Sequence, residues 1–282
     1  MRPIEIVFLY CLSDDLLRYL GIEDDLQCKM TSAEIVTVAL VAARFFGGRL
    51  SIARRFLQSH KYIPKMLSHS RLNRRMHEIK PETWRTLFQI TSWIFQRFNP
   101  ASEFIVDSFP IQACHPCRSW RCKLFTGKNY IGYCASKKQY YYGLKIHIIT
   151  SVEGNIVEFF FTPASVSDVT AFQDFDLELP ENSYLYADKA YTCYDFEDVL
   201  KECFGVFLIA QRKRNSRRPH ALALQAIQRI RRKSVETSIS QVCRFLPRGI
   251  CARSAKGFEL RLFLFVFSYA LERLQKLYLA AA

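Results

Sequence analysis

The sequence predicts a mixed α/β domain preceded by an all-helical region that fills roughly the first 100 residues. Two observations carry this. Apolar residues recur at helical spacing up to Pro100, and beyond it the pattern changes to β-branched and aromatic runs separated by turns. Read in order, the second part runs β-β-β-α-β-α-β-α, the alternation of a mixed sheet with flanking helices. Half of the 282 residues are hydrophobic and 14% are aromatic, which suffices for a large core and argues against global disorder.

In the first part, Ser32 opens an apolar-periodic stretch from Ala33 to Phe46, with Glu34 in its first turn and Gly47–Gly48 as its stop. Further helices are expected over Ile52–Ser59 and Arg71–Ile79. Pro81 suits a helix start, Thr83–Phe98 continues at helical spacing, and Asn99–Pro100 ends it.

In the second part, Glu103–Val106 is a short apolar strand ending at Asp107. Tyr140–Thr150 alternates around Lys145 and His147, the turn Glu153–Gly154–Asn155 follows, and Ile156–Phe161 is the next strand, giving an antiparallel meander. Ser165 and Asp168 resemble a capping box for a helix over Val169–Phe175. Tyr184–Ala187 is a strand ending at Asp188, Tyr194–Glu202 a helix, Gly205–Ala210 a strand, and from Pro219 the chain is helical again.

The formal charge is +14, from 40 Lys+Arg against 26 Asp+Glu, which points to a polyanionic partner. An anionic membrane would need an anchor. The stretch from Met1 to Cys11 lacks an h-region and a cleavage site, and the most apolar run, Leu260–Ala270, is too short to span a bilayer. A cytoplasmic location with no membrane partner is expected, with the 10 cysteines mostly reduced.

Asp107 and Asp188, 81 residues apart, each end a hydrophobic strand, and such carboxylates meet on one rim of a sheet. Glu236 follows 48 residues later in a helical segment among Arg229, Arg231, Arg232 and Lys233. Three hard oxygen ligands suit Mg²⁺ (or Mn²⁺), and two such ions support phosphodiester chemistry. From residue pattern alone a bland reading stands beside this one. Asp commonly caps the turn after a strand, helical Glu is commonly solvated, and the chain offers 26 carboxylates.

Six blocks bear on that choice: Phe104–Ile-Val-Asp-Ser-Phe-Pro110, Cys134–Ala-Ser-Lys-Lys138, Tyr142–Gly-Leu-Lys-Ile-His147, Thr162–Pro-Ala-Ser165, Tyr186–Ala-Asp-Lys-Ala-Tyr191 and Val235–Glu-Thr-Ser-Ile-Ser-Gln241. In this order the chain resembles bacterial insertion-sequence transposases of the DDE group, and within them it is similar to the insertion-sequence 982 family. The resemblance covers about 104 to 270. It implies an RNase H-like core, two Mg²⁺ or Mn²⁺ ions, cleavage at element ends and joining to target DNA. Position by position it makes Asp107, Asp188 and Glu236 both catalytic and metal-binding. The expected domains are 1–100, helical, for DNA binding or dimerisation, and 101–282, catalytic. The partners would be double-stranded DNA at terminal inverted repeats and target, with a homodimer or larger synaptic assembly near the nucleoid.

Arg212, Lys213, Arg214, Arg217 and Arg218, with Arg229, Arg231, Arg232 and Lys233, give nine cations in 22 residues with no acid among them, suited to phosphate contact. Lys137, Lys138 and Lys145 are candidates to extend that surface, and the Tyr140–Tyr142 triplet reads as strand packing, with base stacking the minor alternative. The arginines at 44, 49, 54, 55, 71, 74 and 75 fit either a helix–turn–helix around 48–76 or a dimer face. Cys114, His115, Cys117 and Cys122 contain a zinc-type Cys-x-x-Cys, but the second, separated pair is missing, so free thiols are the simpler reading. Asp168 reads as a helix cap, and Asp195 and Asp198 as solvated. An RNase H-like nuclease that cuts without joining, and an inactive transposase-derived DNA-binding regulator, remain the alternative functions.

Overall fold

A computed structural model describes residues 3–99, 101–175, 177–247 and 249–281. Pro100, expected to close the last N-terminal helix, and Met1 at the start lie outside the described residues. The chain divides into two compact units, Met1–Thr91 with Arg244–Ala282, and Ser92–Cys243.

The first unit is helical: α1 (Pro3–Tyr19), α2 (Ser32–Phe46), α3 (Leu50–Ser59), α4 (His69–Glu78), the first part of α5 (Pro81–Arg97), and α9 (Ala255–Ala281). The cap of α2 is Thr31, one residue before the expected start. Its hydroxyl accepts from the Glu34 N–H while Glu34 accepts from the Thr31 N–H, a complete capping box. Gly47 ends the helix at φ 55°, a left-handed position that suits glycine. Every residue from Ile35 to Ala43 is buried, so α2 is the core of this unit. The apolar run Leu260–Ala270 lies inside α9, which packs on α2 through the Ser268 hydroxyl on the Leu40 carbonyl (3.3 Å) and Arg44 on Gln275 (2.9 Å). Among the described residues no single helix is long and apolar enough to cross a membrane. Within 48–76, nine residues separate α3 from α4, a longer connection than the turn of a helix–turn–helix, one of the two readings held for this stretch. The right-angled pair lies upstream, where α2 meets α3 at 109° across Gly47–Arg49.

The second unit holds a six-stranded mixed sheet: β1 (Glu103–Cys114), β2 (Ile131–Cys134), β3 (Gln139–Ser151), β4 (Ile156–Pro163), β5 (Tyr184–Ala187) and β6 (Phe207–Ala210). The order is β2-β3-β1-β5-β6, with β4 also on β3. β3 runs antiparallel to β1, β2 and β4, whereas β5 runs parallel to β1 and β6 parallel to β5. The meander was expected, but β1 is longer than the Glu103–Val106 strand read from sequence, and β2 is additional. β5 pairs β1 only as far as Val106, so beyond it one edge of β1 is open, and an open edge tolerates Pro110. Gly143 packs against that extension. A Cβ there would lie 2.2 Å from the Ile111 carbonyl oxygen.

Helices α6 (Asp168–Gln173), α7 (Tyr194–Phe204) and α8 (Leu222–Phe245) flank the sheet. Ile105, Tyr186 and Ile209, one from each of β1, β5 and β6, form a cluster that Leu224 and Ile239 of α8 cover. The single helical stretch expected after Pro219 is two helices, because the chain breaks after Phe245 around Pro247 and Gly249.

Candidate active site at the sheet rim

The register of the two central parallel strands builds the site. Val106 pairs with Ala187, so Asp107 and Asp188 each stand one residue past the last pair, on adjacent strands spaced about 4.8 Å apart. Asp188 follows β5 directly, as expected. Asp107 does not end its strand but is the fifth residue of β1, reaching the rim because β5 stops beside it.

Both carboxylates are held by the backbone that follows them. Asp107 Oδ1 accepts from the Ser108 N–H at 2.7 Å, and Asp188 Oδ1 from the Lys189 N–H at 2.7 Å, capping a 3-10 turn over Lys189–Tyr191. Burial pushes the Asp107 carboxyl up to about 6, and the negative Asp188 and Asp168 add to it against the opposing pull of the Ser108 N–H and Arg232.

Glu236 sits on α8, exposed, and accepts from Arg232 Nε at 3.0 Å. The same guanidinium donates from Nη1 to Asp188 Oδ1 (3.3 Å) and to Gln211 Oε1 (3.2 Å). Arg232 thus joins the α8 carboxylate to the β5 carboxylate. Beside it lies a cleft of about 20 Å³ lined in part by Asp107, Asp188, Gln211, Gln228 and Arg232, with room for about one water. Among the described residues, no three His, Cys, Asp or Glu side chains are grouped closely enough to hold a metal ion.

Behind Asp107 lies a polar network that sequence reasoning missed. Asp168 is not the helix cap. Ser167 is, accepting from the Thr170 N–H, and the Asp168 carboxylate turns into the sheet instead. Its Oδ1 accepts from the Ser108 hydroxyl (2.8 Å) and pairs with Lys145 Nζ (3.1 Å), which also donates to the Val166 carbonyl (2.9 Å). Lys145 therefore faces inward and does not extend a DNA surface. His147, two residues along β3, is fully buried between the Thr162 hydroxyl (3.0 Å) and the Tyr191 hydroxyl (3.4 Å). Burial pushes its pKa down to about 4, so the imidazole is neutral at pH 7. The signal was present in the sequence, as two polar residues on one face of an otherwise apolar strand.

Of the nine cations expected to meet phosphate, Arg232 is the bridge just described, and the other eight divide into two groups. Arg212, its side chain 9% exposed, makes a bidentate pair with Glu197 of α7 (2.6 and 2.5 Å), and Arg231 pairs with Glu103. Arg218 holds Asp198 bidentately (2.8 and 2.9 Å), so Asp198 is not simply solvated. Lys213, Arg214, Arg217, Arg229 and Lys233 are exposed, with no carboxylate in ion-pair range among the described residues. In the first unit Arg44, Arg54 and Arg75 are likewise engaged internally, while Arg49, Arg55, Arg71 and Arg74 are exposed. The cysteines are free thiols. Cys114 and Cys122 share a side-chain hydrogen bond, and burial followed by that contact pushes Cys114 up to about 11.

A sheet in which β4, β3 and β1 run antiparallel, β5 and β6 continue parallel, and helices cover the faces has an RNase H-like architecture. Residues 99–246, just over half the chain and spanning the whole sheet together with Glu236, match the transposase DDE domain, and the chain belongs to that family. No curated protein shows significant similarity to it. Membership of a transposase domain family implies DNA as the partner.

Proposed function

We propose that this chain is a transposase of the insertion-sequence 982 branch, cleaving DNA at element ends and joining the exposed 3′-OH to target DNA. The observation that carries the reading is the parallel register that sets Asp107 beside Asp188 at the rim of the sheet, within the matched transposase domain. The six ordered sequence blocks support the branch.

The donor set suits Mg²⁺ or Mn²⁺. Asp107 is a buried carboxylate short of positive charge, and Asp188 and Glu236 both already engage a cation, the Arg232 guanidinium. Asp107 and Asp188 would hold the ions, with Glu236 joining them as Arg232 releases it. Bound there, a pair of ions supplies activation of the attacking oxygen and stabilisation of the leaving oxygen. The protein's own residues do the rest. The Ser108 and Lys189 N–H groups fix the two carboxylates, and Lys213, Arg214, Arg217, Arg229 and Lys233 offer cations to the DNA backbone.

In the first step a water oxygen bonds to phosphorus, the P–O3′ bond breaks, and the water's proton passes by way of solvent to the departing 3′-oxygen, leaving a 5′-phosphate and a free 3′-OH. In the second, the freed 3′-OH oxygen bonds to a target phosphorus as its proton leaves to solvent, and the target's own 3′-oxygen departs and takes up a proton to become a 3′-OH. Neither step needs a covalent protein intermediate.

The test is purified protein with Mg²⁺, a labelled duplex carrying the element's terminal repeats, and a target plasmid. Cut ends joined to the plasmid are the expected product. Cleavage without joining would identify a nuclease instead, and binding without cleavage a DNA-binding regulator.

A further inference from the structure

From Ser108 to Val152 the chain contains no acidic residue but seven Lys and Arg. Lys145 turns inward to Asp168, and the other six, Arg118, Arg121, Lys123, Lys128, Lys137 and Lys138, are exposed. None of the six has a carboxylate in ion-pair range among the described residues. This segment forms the far end of β1, the 3-10 turn Pro116–Arg121, β2 and β3, with the six exposed cations between Pro116 and the start of β3.

Aromatic rings sit among these charges in two layers. Inside, Phe125 stacks on Tyr130 at 4.7 Å, Tyr130 lies 6.3 Å from Tyr142, and the buried Tyr142 hydroxyl donates to the Phe125 carbonyl. This layer gives the segment a core of its own. Outside, Trp120 is 75% exposed, Tyr140 67% and Tyr133 54%. Tyr133 and Tyr140 are direct cross-strand partners with rings 5.0 Å apart. Trp120 is fixed rather than loose, because its indole N–H donates to the Cys117 carbonyl (3.1 Å) and Arg121 lies 4.2 Å over its ring.

Three large rings exposed on a basic segment that contains no acid fit a polyanion that also presents flat apolar faces. That description matches nucleic acid with unpaired bases. An anionic membrane shares the charge logic, but the position favours DNA. β1 and β3 overrun the end of β5 on the side where Asp107 and Asp188 reach the rim, and the seven residue steps from Asp107 to Cys114 span about 24 Å. We infer that Trp120, Tyr133 and Tyr140 form a stacking platform for unpaired bases of the DNA strand whose phosphate lies at the carboxylate rim. The inference rests on the DNA reading above and adds to it the class of DNA bound, a strand locally opened rather than an intact duplex.

The test uses the full chain in EDTA, with oligothymidine, a forked duplex and the same duplex closed as probes, each read by fluorescence anisotropy. Trp120→Ala and Tyr140→Ala should each weaken oligothymidine and fork binding about 5- to 150-fold while leaving closed-duplex affinity unchanged. Trp120→Phe, which keeps an aromatic face, should retain most of the affinity. Both replaced side chains are on the outer layer, so unchanged circular dichroism and melting would show an intact fold. If Trp120→Ala and Tyr140→Ala bind oligothymidine as the wild type does, the platform is wrong and the DNA reading stands. If the wild type binds none of the three probes, the DNA reading itself fails. Binding of the wild type, but not Trp120→Ala, to phosphatidylserine vesicles with no effect on oligothymidine would overturn the platform in favour of a membrane.

Discussion

Arg232 stands between Asp188 and Glu236, 3.3 Å from the one through Nη1 and 3.0 Å from the other through Nε. On the proposed reading a divalent ion would need the carboxylate oxygens that this guanidinium bridges, so the two would compete. Arg232→Gln should tighten Mn²⁺ binding about 2- to 5-fold, the scale of a half-exposed ion pair, as measured by titration calorimetry without DNA. Unchanged or weaker Mn²⁺ binding would show that the arginine does not hold the ligands apart.

The Asp107 carboxyl sets a pH window. Its pKa is pushed up to about 6 from an ordinary 3.8, so the folded state holds a proton that the unfolded chain has lost. Stability from this group is therefore full below about pH 4 and falls as pH rises to about 6, a difference of about 3 kcal/mol. Asp107→Asn should raise the melting temperature at pH 7.5 and leave it unchanged at pH 3.5. Mn²⁺ affinity should weaken below pH 6, because the ion must displace that proton.

Lys145 and Asp168 form a pair in which each side chain is at most one-fifth exposed. Lys145→Met leaves a carboxylate buried without its cation and should destabilise the protein by about 3 kcal/mol in urea unfolding. Adding Asp168→Asn to that variant should recover part of the loss. If the two effects simply add, the pair is not coupled.

The basic run separates into structural and free cations. Arg212→Ala should lower stability by about 3 kcal/mol, because Glu197 is then buried alone. Arg217→Ala, Arg229→Ala and Lys233→Ala should leave the melting temperature unchanged. Each lost phosphate contact should reduce the slope of log K against log salt by about 0.9.

Much of this was legible because it is local. The β5 strand, four apolar residues before an Asp, was read with its final boundaries, and the two aspartates were found from strand ends. The Glu103–Val106 reading was too short because what lets β1 continue past Pro110 is the end of its neighbour β5. β2 was missed since its four residues expose both Ile131 and Tyr133 and exist as a strand only by pairing with β3. The partners of Arg212 and Arg218 come from α7, so a charge count along the chain saw cations where the fold makes ion pairs. Asp168 was misread for the same reason, its partners lying on β1 and β3. Glu236 was placed on a helix correctly, but its distance from the aspartates depends on how α8 turns it and on Arg232.

The most direct test of the central claim is cleavage of labelled terminal-repeat duplex in Mg²⁺ by Asp107→Ala, Asp188→Ala and Glu236→Ala, with binding of the same duplex measured in EDTA. Each variant should bind as the wild type does and give no cleavage. A variant that cuts at the wild-type rate would remove that carboxylate from the site, and normal cutting by Asp107→Ala would contradict the account as a whole.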